Sequence, residues 1–283
     1  MIAGWAAARL GVRRGLIELK QTFTNSDSLL PVLIMTGAFL VVMLLTRNTT
    51  VPGTSFSLGT TILPSVLGMG IGVNGLASMA GLLAAEREDG TLLRAKATPH
   101  GMTGFLVGKI VTVAGTVLIG VAGTLILGIF IFHGLALGRA STWLTLLWVL
   151  VLGLIATLPL GAVMGSLFPS ARSMGLMTLF IGAIVAVSGI FYPITHLPHW
   201  LQWAGQVFPV YWLGLGMRSA LLPASQASVE IGDSWRHLAT FGMLSAWAVV
   251  GLVVAPVVLR RMARRESGSS VAARREKAML RVG

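Results

Sequence analysis

The sequence predicts an all-α integral membrane protein with six transmembrane helices, and three observations predict it. First, hydrophobic residues make up 55% of the 283 and charged residues 11%, against about 25% charged in soluble domains, with a mean hydropathy of +0.84. Second, the apolar residues gather into runs of the ~20 residues that a helix needs to cross hydrocarbon. Third, of the 21 Lys and Arg, all but Arg47, Arg139, Arg218 and Arg236 fall on one side of those runs. Lys and Arg favour cytoplasmic loops, so that side, which holds both termini, is the cytoplasmic one. The net charge of +12 therefore reads as loops and a tail facing anionic headgroups, not as a nucleic-acid surface. No separate soluble catalytic domain fits beside the spans. The absence of Cys excludes disulfides, thiol nucleophiles and thiolate metal sites.

Residues 1–24 set Ile2, Leu10 and Ile17 on one helical face and Trp5, Arg9 and Arg13 on another. That pattern predicts an amphipathic helix lying in the headgroup plane. Arg9, Arg13 and Arg14 stand where the apolar core of a cleavable signal would be, so none is expected. Thr24 to Asp27 break this helix and supply caps for the next. The transmembrane domain spans 25–259, beginning with a first span at 29–45, followed by an outer loop from Arg47 to Phe56. In the second span, 59–84, Gly68, Gly70, Gly72 and Gly75 surround Asn74. Such small residues let helices approach closely while Asn hydrogen-bonds across the contact, or else they mark a kink.

Between Ala85 and His100 comes a dense knot of charge: Glu86, Arg87, Glu88, Asp89, Arg94 and Lys96. It cannot lie in hydrocarbon and must project into water. The third span, 104–133, is long enough for tilt or for an extension into the cytoplasm. A loop with Arg139 precedes the fourth span, 143–168, where Gly161 and Gly165 lie four apart. A turn from Pro169 to Ser173, containing Arg172, leads to the fifth span, 174–191. The next apolar stretch is broken by Pro193, Pro198 and Pro209 and carries His196, His199, Trp200, Trp203, Tyr211 and Trp212. It predicts short re-entrant outer helices over 193–222, with Trp and Tyr at headgroup depth. After an outer loop comes the sixth span, 238–259, and then a basic cytoplasmic tail, 260–283.

The chemistry that is missing narrows the function. No Asp or Glu lies between Asp89 and Glu230, so an ion-coupled carrier lacks the intramembrane acid it normally needs. His196 and His199 have no third ligand and read as interfacial anchors, so no metal site is expected. The run from Gly104 to Ile110 is one residue short of a phosphate-binding loop and lacks a Ser or Thr after Lys109, and no G-x-S-x-G motif occurs. The chain is thus expected to bind no cofactor and to be no enzyme itself, its energy arriving from a partner.

Two stretches carry a likeness. Glu86 to Pro99, EREDGTLLRAKATP, resembles the E-R-E-x-G-T-L-x-x-L-x-x-T-P signature of type-2 ABC exporter permeases, departing from it at Arg94 to Lys96. The run beginning at Ser188, SGIFYPITHLPHWLQWAGQVFPVYW, is similar to the outer segment of that family, whose members include daunorubicin-resistance-like drug exporters. The resemblance implies one half of a dimeric pore, paired with a second copy or a paralogue. Each half rests on a separate cytoplasmic ATPase subunit that holds ATP and Mg. It implies a coupling helix at about 86–98, between spans two and three, in which Glu86, Arg87, Glu88, Asp89, Gly90, Thr91, Leu92 and Arg94 meet the ATPase. Glu86 and Glu88 would pair with Arg9, Arg13 or Arg14, and a substrate path would pass Met69, Asn74, Thr178 and Phe180. The implied function is export of a hydrophobic or amphipathic compound, such as a drug, antibiotic or lipid-like molecule, across a bacterial inner membrane. The Ala, Gly and Arg content points to a GC-rich bacterial genome. Two alternatives stand beside it: export of a lipid-linked glycan, and a non-transporting anchor or sensor for an ATPase.

Overall fold

A computed structural model describes residues 2–46, 48–49, 58–132, 134–168 and 171–265. Most of the predicted first outer loop, Pro169 of the inner turn and the tail beyond Arg265 lie outside the described residues. Within them the chain forms eleven α-helices joined by turns and short 3-10 segments, with no strand. Four helical segments are long and apolar enough to cross a membrane: Gly59–Arg87, Gly101–Ile131, Ala140–Leu167 and His237–Arg264. Two shorter apolar helical stretches, Gly37–Thr46 and Ser173–Val187, fall in the first and fifth predicted spans.

Helix α1 (Ile2–Thr24) is followed by α2 (Ser26–Thr46). Only Asn25 interrupts them, a shorter break than Thr24 to Asp27. α1 runs alongside α6 (Gly101–Ile131) in the same direction. A Cβ on Gly15 would come 2.5 Å from the Gly108 carbonyl oxygen, one on Gly104 would come 2.9 Å from that of Ala7, and Leu19 lies over Gly115. Small residues on both helices permit this backbone contact. Trp5, Leu10 and Ile17 remain exposed, so α1 keeps a free apolar face while its glycine face is docked.

The predicted second span is three pieces: α3 (Leu58–Met69), a π-helical turn at Gly70–Asn74, and α4 (Gly75–Glu88). The packing reading of its glycines holds, although Asn74 is exposed and does not lie buried across the contact. Gly68 meets the backbone of Gly214 and Gly75 meets Thr157, while the residues between them widen into the π turn that such backbones allow. α4 lies along α7 (Ala140–Leu167), where a Cβ on Gly161 or on Gly165 would stand 2.6 Å from the carbonyl of Leu76 or Ala80. Backbone cannot retreat as a side-chain tip can, so Gly161→Val is expected to cost about 1–3 kcal/mol and to lower the unfolding midpoint in detergent. Gly182→Ala, which meets nothing nearby inside α8 (Ala171–Val187), is expected to leave that midpoint unchanged or slightly raised, Ala being the better helix former.

Three boundaries differ from the sequence reading. α8 (Ala171–Val187) stops short of Phe191, because Gly189 turns the chain with a φ of +62°. α11 (His237–Arg265) continues through Arg260, Arg261 and Arg264, so the predicted tail begins as helix; cations there suit the negative end of the helix dipole. The outer stretch does form two short helices, α9 (His199–Val207) and α10 (Pro209–Leu221), divided before Pro209. Their environments are opposite, which corrects the expectation that all four aromatics sit at headgroup depth. Trp200 and Trp203 are exposed, whereas Tyr211 and Trp212 are buried with Leu213, Leu215 and Met217. α10 packs among α3, α7 and α11, Gly216 lying against Val149 and Gly214 against α3. It is the centre of the core, because glycines on its faces let three neighbours close on it.

Candidate functional site

The charged turn resolves into the end of α4, a two-residue turn, and α5 (Thr91–Lys96). The single coupling helix expected over 86–98 is therefore divided: Glu86 to Glu88 finish α4, and only Thr91–Lys96 form the short helix. The cause is local. Gly90 takes φ +80°, a left-handed conformation favoured by glycine, and the Asp89 carboxylate accepts the Thr91 N–H at 2.8 Å. Leu92 is buried in the same core cluster as Leu259 and Met262 of α11. Arg94 is exposed and donates to the Thr91 hydroxyl at 3.3 Å. Arg87 does not face outward alone: its guanidinium donates to the Ser166 carbonyl at 3.4 Å, near the end of α7, where a cation is favoured.

Beneath this turn lies a four-charge network that adds to zero. The Lys109 side chain, only 4% exposed, contacts the Glu86 carboxylate and lies 2.7 Å from Glu18 Oε2. Arg14 Nε donates to Glu18 Oε1 at 2.8 Å, and its Nη2 stands 3.7 Å from Glu86 Oε2. The Thr112 hydroxyl reaches Glu18 Oε2 at 3.2 Å. Both cations lie 5.9 Å from the centre of the Phe105 ring, a favourable cation–π distance. α1, α4 and α6 are thereby joined at one point.

Burial pushes the Glu18 carboxyl up, but hydrogen bonds and charge from Lys109 and Arg14 outweigh it and hold its pKa below the ordinary 4.5. A carboxyl with a depressed folded pKa contributes stability that is present above its unfolded value and lost as pH falls through the folded one. The wild-type unfolding midpoint is thus expected to drop on acidification below about pH 4.5, more steeply than that of Glu18→Gln.

Of the predicted partners of Glu86, Arg14 is in place, while Arg9 and Arg13 point into solvent. The pairing expected of Glu88 involves a side chain outside the described residues. Lys109 and Glu18 were missed as site residues, although the sequence carries a signal for both. Lys109 is the sole charge in α6, so it needs a partner elsewhere, and Glu18 is the sole acid among the cations of α1.

The residues of the expected substrate path are dispersed. Met69 is buried against Ile184, Ile190 and Val210. Asn74 is exposed at the end of the π turn. α8 packs on α4 through Met177 and Ile181, leaving Thr178 and Phe180 exposed. Thr178 donates to its own helix at Met174, and Phe180 packs edge-on against Phe208. His196 and His199 are exposed.

A family model described as ABC-2 family transporter protein matches residues 21–255. A search of curated proteins finds no match.

Proposed function

The chain belongs to the ABC-2 transporter family, as a membrane-embedded permease of an ABC transporter, and from that premise we propose that it exports a hydrophobic or amphipathic compound. ATP and Mg are handled by a separate cytoplasmic ATPase, two permease chains form the pore, and the chain crosses a bacterial cell membrane six times with both termini inside. In this reading α2 and α8 are the first and fifth spans.

The observation that carries the proposal is the neutral Arg14–Glu18–Glu86–Lys109 network directly behind the charged turn. α6 has 31 residues, about 46 Å of helix, and hydrocarbon takes up only about 30 Å. Lys109, in its third turn, then belongs to the extension at the cytoplasmic face, where charge is tolerable. A displacement of α5 by the ATPase would pass through Glu86 and Lys109 to α6 and α1, and through Leu92 to the end of α11. Uncharged membrane surfaces beside Asn74, Thr178 and Phe180 suit a lipophilic passenger.

The test is co-purification of the ATPase followed by efflux of lipophilic fluorescent dyes from inverted vesicles. Gly90→Pro is expected to leave membrane insertion intact while lowering permease-stimulated ATP hydrolysis and dye flux by about tenfold. Normal flux in that variant would reject the role of the turn. ATPase binding without flux of any dye, lipid or lipid-linked glycan would make the chain an anchor or sensor.

A further inference from the structure

A second cluster of polar groups lies far along the chain from the charged turn. A cavity of about 60 Å³ opens between the start of α3, the turn after α8, the end of α10 and the 3-10 segment at Ala224–Val229. Its floor holds a buried ion pair: Arg218 Nε donates to Glu230 Oε1 at 2.7 Å, both side chains being 5% exposed or less. Arg218 Nη1 also donates to the Ser65 hydroxyl at 3.0 Å, and Gln226 Oε1 accepts from Thr61 at 3.5 Å. Among the described residues, two buried atoms of residues that line the cavity have no partner, the donor Gln226 Nε2 and the acceptor Glu230 Oε2. The walls are apolar: Ile190 is buried, and Phe191, 42% exposed, leads to the surface.

Buried polar atoms are costly when unsatisfied, and these two ask for one acceptor and one donor. A hydroxyl supplies both. A cation is disfavoured because Arg218 already neutralises Glu230, and an anion because Glu230 faces it; either would bring an uncompensated charge into a buried site. The volume admits a few water-sized groups, enough for a hydroxylated chain end. We propose that this cavity binds the hydroxyl head of a neutral amphiphile, whose hydrocarbon leaves over Phe191. The occupant is either a membrane lipid or the transported compound. Binding stands independently of the transport reading; only the cavity's outer-leaflet location rests on it.

The full chain with its ATPase, reconstituted in phosphatidylcholine nanodiscs, is exposed to a monoacylglycerol carrying a diazirine in its acyl chain, and labelled peptides are mapped. Labelling is expected within 61–65, 189–193 or 225–230. Excess unlabelled monoacylglycerol should compete, and an alkyltrimethylammonium or alkyl sulfate of equal chain length should not. Gln226→Leu should lower labelling about tenfold. Ser228→Trp, at the exposed rim, should do the same without touching the ion pair. Labelling elsewhere, equal competition by the charged amphiphiles, or indifference to both variants would overturn the proposal and leave water as the occupant. With the site labelled, ATP and Mg separate the sources: turnover depletes a transported molecule and leaves a resident lipid in place. Loss of the ATPase during purification would count against the transport reading alone.

Discussion

Lys109→Met is expected to destabilise the protein by about 3 kcal/mol and to uncouple whatever protein remains folded. The substitution nearly conserves volume and keeps an unbranched chain over Phe105, so packing changes little. What changes is charge. Glu18 and Glu86, both largely shielded from water, lose the cation they share, and Arg14, 43% exposed and 3.7 Å from Glu86, cannot compensate for both. Removing one member of a buried pair strands the other, which costs more than the pair itself contributes. The measurement is the unfolding midpoint in detergent, beside ATP hydrolysis by the assembled complex. Adding Glu18→Gln and Glu86→Gln to Lys109→Met should recover most of the stability, because the one charge then left without a partner is Arg14, which at 43% exposed is hydrated. It should not recover coupling, because the link between α4 and α6 is gone. A stable, fully coupled Lys109→Met would show that the network is ornamental.

Arg218→Ala is the second large effect, about 3–5 kcal/mol. Its guanidinium is almost fully buried and is the partner of Glu230 and of the Ser65 hydroxyl. Truncation leaves the Glu230 carboxylate buried with no counter-charge beside the buried helix α10. The double variant Arg218→Met with Glu230→Leu is expected to fold near wild-type stability, since replacing a buried pair by apolar groups is often neutral. A double-mutant cycle on unfolding midpoints measures the coupling between the two; additive losses would mean that they do not act as a pair. The hydroxyl-binding cavity should be lost in this double variant although the fold survives.

Helix positions were legible in the sequence because hydropathy is a local property. The ends of α6, α7 and α11 fall within a few residues of the predicted spans, apart from the helical start of the tail. The division before Pro209 was signalled by the residue that causes it, whereas the left-handed turn at Gly90 splits a stretch expected to be one helix over 86–98. The partner of Glu86 was legible only in part. Charge complementarity pointed to the N-terminal helix, and Arg14 is there. Lys109 was read as one more cytoplasmic cation, and Arg218 as a loop cation on the outer side, yet both are buried. Counting charges assigns a side of the membrane; it does not say how deep a charge sits within the protein.

The sequence by itself determined the class: a helical membrane protein with a charged turn between two apolar helices, because the exclusion of charge from hydrocarbon acts residue by residue. Tertiary structure alone decided that α10 is the core and not an interfacial hairpin. It alone decided that Lys109 joins α1 to α4, and that Arg218 and Glu230 close a polar cavity. Those outcomes depend on which helices approach which, and glycines such as Gly15, Gly68 and Gly161 set that approach by admitting a neighbour's backbone. A glycine in a sequence announces that something can come close; only the folded chain says what does.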